Sequence, residues 1–217
     1  MPKPKYKAVI FDFDDTLVES RAVKWAHHKH VAKKFYDIDL TDEVLRVHWG
    51  KPLNTLIKEI YQNSDTEENM MKVLKSTKHE YLKKLYEGSL PTIMTLLENN
   101  IKVGVVSATT KHFLVEDLKI HHFPIEHFII IQGADETEVH KPDPRVFLPL
   151  LEKLKKEGIK SKDIVYIGDS LNDLEAAHGA GIDFIGVATG LYSVEEFKKQ
   201  GAKIVIKDMS ELLQNII

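Results

Sequence analysis

The 217 residues are 43% hydrophobic, enough for a packed core, which argues against wholesale disorder. With 30 basic against 33 acidic residues the net charge is −3, so the basic excess expected of a general nucleic-acid binder is missing. Cysteine is absent, which excludes a disulfide framework, a thiolate metal site and a cysteine nucleophile, and no apolar run approaches the roughly 20 residues that span a bilayer. The basic start, Met1 to Lys7, precedes an apolar stretch too short for a signal peptide. The expectation is a soluble, cytoplasmic protein without a membrane partner; oligomeric state is not readable.

The first predicted element is the strand Ala8-Val9-Ile10-Phe11, which runs into Asp12-Phe13-Asp14-Asp15-Thr16. Two carboxylates one residue apart at a strand end repel each other, and the pair is tolerable only if a cation neutralises it or one member takes a proton. Both remedies are chemically useful. A metal makes one Asp a competent nucleophile at phosphorus, and a proton makes the other an acid for a leaving group. Asp and Thr are also ordinary residues of a turn after a strand, so the motif needs company.

From about Ser20 to Gly88 the apolar positions recur with helical period. Thr41 is a plausible N-cap for a short helix through Val47; Leu53, Leu56, Ile57, Ile60 and Tyr61 fit one helix face; Met70, Val73, Leu74, Thr77, Tyr81 and Leu85 continue the theme. From Leu90 onward helix and strand alternate. The strands are expected at 103–107, 128–132, 164–168, 184–187 and 203–206, and the helices at 93–99, 111–118, 144–156, 171–180, 194–200 and 210–216. Such alternation implies parallel strands with crossover helices, interrupted after the first strand by a helical insertion.

Polar clusters fall at or beyond the carboxyl ends of these strands: Ser107-Ala108-Thr109, then His140-Lys141-Pro142-Asp143-Pro144, then Gly168-Asp169-Ser170-Leu171-Asn172-Asp173. In an open parallel sheet those ends share one edge, where ligands bind, so hydroxyl, ammonium and two more carboxylates are expected to meet the Asp12/Asp14 pair. Taken alone, Asp169 and Asp173 also fit a helix N-terminus, and Asp143-Pro144 reads as N-cap and first helical residue.

The ordered set resembles the haloacid dehalogenase superfamily over nearly the whole chain. Asp12-Phe13-Asp14-Asp15-Thr16-Leu17 is similar to its first motif, Ser107 to its second, Lys141 to its third and Gly168-Asp169-Ser170-Leu171-Asn172-Asp173 to its fourth. Asp15 stands where the family very often has Gly, and Ala108 where Asn or Gly is common. The resemblance implies an α/β fold, a Rossmann-like parallel sheet core (1–17 and 89–217) with an inserted helical cap domain (18–88). The chain resembles the phosphoglycolate-phosphatase-like branch, and its acidic residue at position 14 is similar to phosphatases and phosphomutases.

On that reading Asp12 is the nucleophile and Asp14 handles protons, giving one to the leaving alkoxide and taking one from water. Mg²⁺ is the expected cofactor, in a small all-oxygen site made by Asp12, the backbone carbonyl of Asp14, and Asp169, with Asp173 and Asn172 behind them. Ser107 and Ala108 would cradle phosphate, and Lys141 would supply fixed positive charge. His48-Trp49-Gly50-Lys51-Pro52 resembles the family's substrate-specificity loop, in which Gly50, Lys51 and also Arg21 could meet an anionic substrate. His27, His28 and His30, and the group His121, His122 and His127, lack zinc-ligand spacing and read as surface or cap-packing residues. The expected partner is a small phosphorylated metabolite, not nucleic acid. A phosphosugar mutase using the same site, or a noncatalytic binding protein on the same fold, are the alternatives.

Overall fold

The computed structural model describes residues 4–49 and 53–217. The chain divides into two compact units, one made of Met1–Glu19 with Leu85–Ile217, the other of Ser20–Lys84. The break points lie at or within the short strands β2 (Val18–Glu19) and β3 (Lys84–Leu85), which pair as a two-stranded sheet.

The first unit is built on a six-stranded sheet. Its strands are β1 (Ala8–Phe11), β4 (Lys102–Val106), β5 (Phe128–Gln132), β6 (Ile164–Gly168), β7 (Asp183–Val187) and β8 (Ile204–Ile206), in the order β5-β4-β1-β6-β7-β8, every neighbouring pair parallel. Helices α5 (Ser89–Glu98), α6 (Lys111–Ile120), α7 (Leu148–Lys156), α8 (Leu171–Gly179) and α9 (Val194–Lys199) supply the crossovers. This is the parallel sheet expected from the alternation, in the Rossmann-like fold that the resemblance implied. Strand β1 is central and fully buried, so its side chains feed two cores by strict alternation. Val9 and Phe11 join Val165 and Ile167 of β6 on one face, and Ala8 and Ile10 join Ile164 and Tyr166 on the other. Each fully buried side chain of this size contributes about 1.5–3 kcal/mol. Successive connections leave β1 toward β4 and β5, then return to β6 on its other side, which puts the topological switch point at the end of β1.

The second unit is helical: α1 (Arg21–Tyr36), α2 (Asp42–His48), α3 (Leu53–Ile60) and α4 (Glu67–Thr77). Thr41 caps α2, accepting from the Val44 N–H at 3.4 Å. Leu56, Ile57 and Ile60 form the buried face of α3.

Three expected helices differ. The period running from Met70 to Leu85 is helical only through Thr77; a 3-10 turn follows, and Leu85 lies in β3, after which the Tyr86 N–H is taken by the Leu17 carbonyl at 3.2 Å. The segment 144–156 opens as a 3-10 turn, Pro144–Phe147, because Pro149, which has no N–H to give, is held to the first turn of α7. The segment 210–216 is a pair of 3-10 turns whose N–H groups reach three residues back, Leu212 to Met209 and Asn215 to Leu212.

Candidate active site

Asp12 follows the last residue of β1, and its N–H is tied to the Ile167 carbonyl of β6 at 2.8 Å. Asp15 adopts the left-handed backbone (φ 55°), a conformation that Asp tolerates and that explains why glycine suits the position. Its N–H closes the turn onto the Val18 carbonyl at 2.8 Å, and its carbonyl accepts the Thr189 hydroxyl. Asp12 therefore leaves the sheet on a tightly fixed turn.

Lys141 arrives from the connection after β5, and its ammonium is buried. It donates to Asp12 Oδ1 at 2.9 Å, to Asp173 Oδ1 at 2.6 Å and to the Tyr166 hydroxyl at 2.9 Å. Asp173 occupies the third position of α8. Its Oδ2 accepts the Ser170 N–H at 3.0 Å and hydroxyl at 2.6 Å, while the Ser170 hydroxyl accepts the Asp173 N–H at 3.2 Å, a capping box. The helix-terminus role and the site role thus coexist in one carboxylate. Gly168 has to be glycine, since a Cβ there would come within 2.6 Å of the Asp173 side chain. Asp169 lies between Gly168 and the cap, with Oδ1 accepting the Thr16 hydroxyl at 3.3 Å. Gly190, in the loop after β7, is a second close approach: any Cβ there would overlap the Asp169 carboxylate.

Asp14 is half-buried and accepts the Thr109 hydroxyl at Oδ2, 2.6 Å away. Ser107 is buried; its N–H is spent on the Gln132 carbonyl at 3.0 Å and its hydroxyl oxygen accepts the Thr109 N–H at 3.1 Å. Ala108 is exposed, and α6 starts only at Lys111, so no helix terminus adjoins Ser107 directly. Asn172 is exposed on the first turn of α8. Asp143 caps the turn after Lys141, accepting the Arg145 N–H at 2.9 Å; hydrogen bonds from Arg145 hold its carboxyl down at about 2.

Arg21 begins α1 in the helical unit, its guanidinium 5.3 Å from the Trp25 ring centre. Gly50 and Lys51 lie outside the described residues. His27 and His28 are buried in the helical unit, hydrogen-bonded to Thr77 at 2.7 Å and Tyr61 at 2.8 Å, and His30 meets the Tyr81 hydroxyl.

Burial and like charge both disfavour the ionised carboxyls of Asp12 and Asp169. Burial, the largest influence, pushes the Asp12 carboxyl up to about 7; Lys141 opposes this, while Asp173 and Asp14 add to it. Burial likewise drives Asp169 well above the carboxylate range, reinforced by Asp173, Asp12 and Asp15. For Lys141 burial works against the charge, but Asp12 and Asp173 together overrule it and keep the ammonium protonated. One oxygen each from Asp12, Asp169 and Asp173 lies within 4.8 Å of the others, a buried all-oxygen cluster that could hold a metal ion. The donor chemistry suits a hard divalent cation.

Sequence reasoning placed Thr109 at the sheet edge without a role and missed Tyr166, Thr189 and Gly190. A tyrosine in a Val/Ile strand reads as core, and a threonine or glycine in a loop reads as turn; only the spatial neighbours betray them.

A profile of the haloacid dehalogenase-like hydrolases matches residues 9–187. The chain belongs to that family. It is an enzyme, a hydrolase, as the resemblance of its motifs implied. It is similar to the phosphoglycolate phosphatase of Yersinia pseudotuberculosis (28% identity, 98% of this chain and 95% of the relative). It is also similar to the pyrophosphatase PpaX of Bacillus pumilus (25% identity, 98% and 97%). Among solved structures, a protein from Bacteroides fragilis assigned as a haloacid dehalogenase-like hydrolase superposes with a TM-score of 0.79 at 27% identity, covering 96% of this chain and 100% of the other. No helix among the described residues is long and apolar enough to cross a membrane.

Proposed function

We propose that the chain is a Mg²⁺-dependent phosphatase that hydrolyses small phosphomonoesters through a phospho-aspartate on Asp12. The observation that carries this reading is the clamp of Lys141 between Asp12 and Asp173, beside the oxygen cluster of Asp12, Asp169 and Asp173. Asp12 and Asp169, with the Asp14 carbonyl, would hold Mg²⁺, which would offset the repulsion between carboxylates and a phosphate dianion. Asp173, with both oxygens already accepting hydrogen bonds, suits the part of a brace.

In the first half-reaction an Asp12 oxygen attacks phosphorus in line, the bond from phosphorus to the ester oxygen breaks, and Asp14 gives that oxygen its proton. In the second, Asp14 takes a proton from water as that water attacks phosphorus, the acyl phosphate bond breaks, and Asp12 returns as a carboxylate. Thr109 fixes the Asp14 side chain for both transfers. The Ser107 hydroxyl receives a phosphate oxygen. Lys141 keeps Asp12 oriented and balances charge. The resemblance would make the helical insertion the part that chooses the substrate, with Arg21, Gly50 and Lys51 as its candidate contacts by sequence alone.

The test is a panel of phosphorylated metabolites assayed for inorganic phosphate without a bisphosphate activator, in the wild type and in Asp12→Asn. Release that falls by about 10⁴-fold or more in the variant supports the reading. Turnover that survives in Asp12→Asn contradicts it, and product formed only with a bisphosphate activator would make the enzyme a mutase.

A further inference from the structure

We infer that Tyr166 is a positioning residue for Lys141, and through it for Asp12; the inference rests on the nucleophile reading above. An ammonium has three donors and no acceptor. In Lys141 all three are committed inside the protein, to Asp12 at 2.9 Å, Asp173 at 2.6 Å and Tyr166 at 2.9 Å. A phosphate oxygen can take one of these N–H groups only by displacing a partner. Lys141 therefore acts on the reaction chiefly by holding Asp12.

The direction of the third hydrogen bond is fixed. The Tyr166 hydroxyl spends its proton on the Val106 carbonyl of β4 at 2.8 Å, so the lone pair is what faces Lys141. Burial holds the phenol well above its ordinary pKa, so it stays neutral. Its ring is packed edge-on against Phe147, with centroids 4.8 Å apart. Tyr166 stands on β6 opposite Ile10 of β1, and β1 lies between β6 and β4. The side chain thus spans the nucleophile's strand and ties Lys141 to the strand that leads into Ser107. Without the hydroxyl, one buried ammonium proton loses its acceptor and the Val106 carbonyl loses a donor, and the ammonium is free to shift off Asp12.

The experiment is Tyr166→Phe, which keeps the ring and removes one oxygen, beside Phe147→Leu, which loosens the ring and keeps the oxygen. We expect kcat for a fixed phosphomonoester to fall about tenfold in Tyr166→Phe, with KM and the Mg²⁺ midpoint within twofold, and Phe147→Leu to keep kcat within twofold. Independently of turnover, ¹⁵N-detected NMR of the wild type should show the Lys141 ammonium protons in slow exchange, accelerated at least tenfold in Tyr166→Phe. Unchanged kcat and exchange in Tyr166→Phe, or an equal loss in Phe147→Leu, overturns the inference. Fast Lys141 exchange in the wild type overturns it even if the variant does not fold. Should the wild type release no phosphate, the nucleophile reading fails, while the exchange measurement still judges the link between Tyr166 and Lys141.

Discussion

Asp12 and Asp14 are two residues apart, yet they meet different partners. Asp12 is held by an ammonium and Asp14 by the Thr109 hydroxyl, a difference that suits the proposed division into attack and proton transfer. Asp14→Asn should lower kcat/KM, which reports the attack on substrate and not the later hydrolysis in which Asp14 is the base, by about 10²–10³-fold on an alkyl phosphate, but far less on an aryl phosphate whose leaving group needs no proton. Equal losses on both substrates, read from parallel steady-state assays, would remove Asp14 from acid catalysis. Gly190→Ala tests the close approach at Asp169. We expect Mg²⁺ affinity, measured by isothermal titration calorimetry, to weaken at least tenfold, because the new methyl group must push the carboxylate aside. The acidic residues were legible in the sequence because charge at a strand end is anomalous. Tyr166 and Gly190 were not, because their roles exist only through residues brought close by the fold. The side-chain pairing of Thr109 with Asp14 spans 95 positions and has no local signature.

At the scale of elements, α1 buries His27 and His28 where an ordinary core helix would place aliphatic residues. Burial, with His27 and Lys24 nearby, lowers the His28 pKa to about 3, and burial lowers that of His27 as well. The folded state therefore holds these rings neutral, while the unfolded chain takes up protons below about 6.5. Stability is fully present above that value and is lost as pH falls, by roughly 1 kcal/mol per pH unit for a fully buried histidine. Thermal melts from pH 7 to pH 5 should show a falling Tm, and His28→Gln, which keeps a polar partner for Tyr61 without titrating, should flatten the slope. A slope unchanged by that substitution would place the acid sensitivity elsewhere. The strands were readable from their apolar runs. The helix ends were not, because 3-10 turns share the spacing of three and four residues that marks an α-helix. Only the hydrogen bonds of Leu212 and Asn215 distinguish them.

For the whole molecule, the parallel sheet was foreseeable because alternating strands and helices permit little else, and the carboxyl edge followed from it. The strand order β5-β4-β1-β6-β7-β8 was not, since sequence gives succession and not adjacency. The net charge of −3 is modest, so the concentration of acid around Asp12 is a local feature of the fold. Removing divalent cations with EDTA should abolish turnover and restoring Mg²⁺ should recover it. Saturating Mg²⁺ should also raise thermal stability, by about 2.7 kcal/mol at a hundredfold excess over Kd. Metal-independent turnover would mean that Lys141 alone balances the carboxylates.

The most direct measurement traps the enzyme during turnover with borohydride, which reduces an acyl phosphate to the alcohol, and reads the modified residue by peptide mass spectrometry. Homoserine at position 12, formed only in the presence of substrate, is the predicted result. Reduction at another carboxylate, or none while phosphate is being released, would contradict the account.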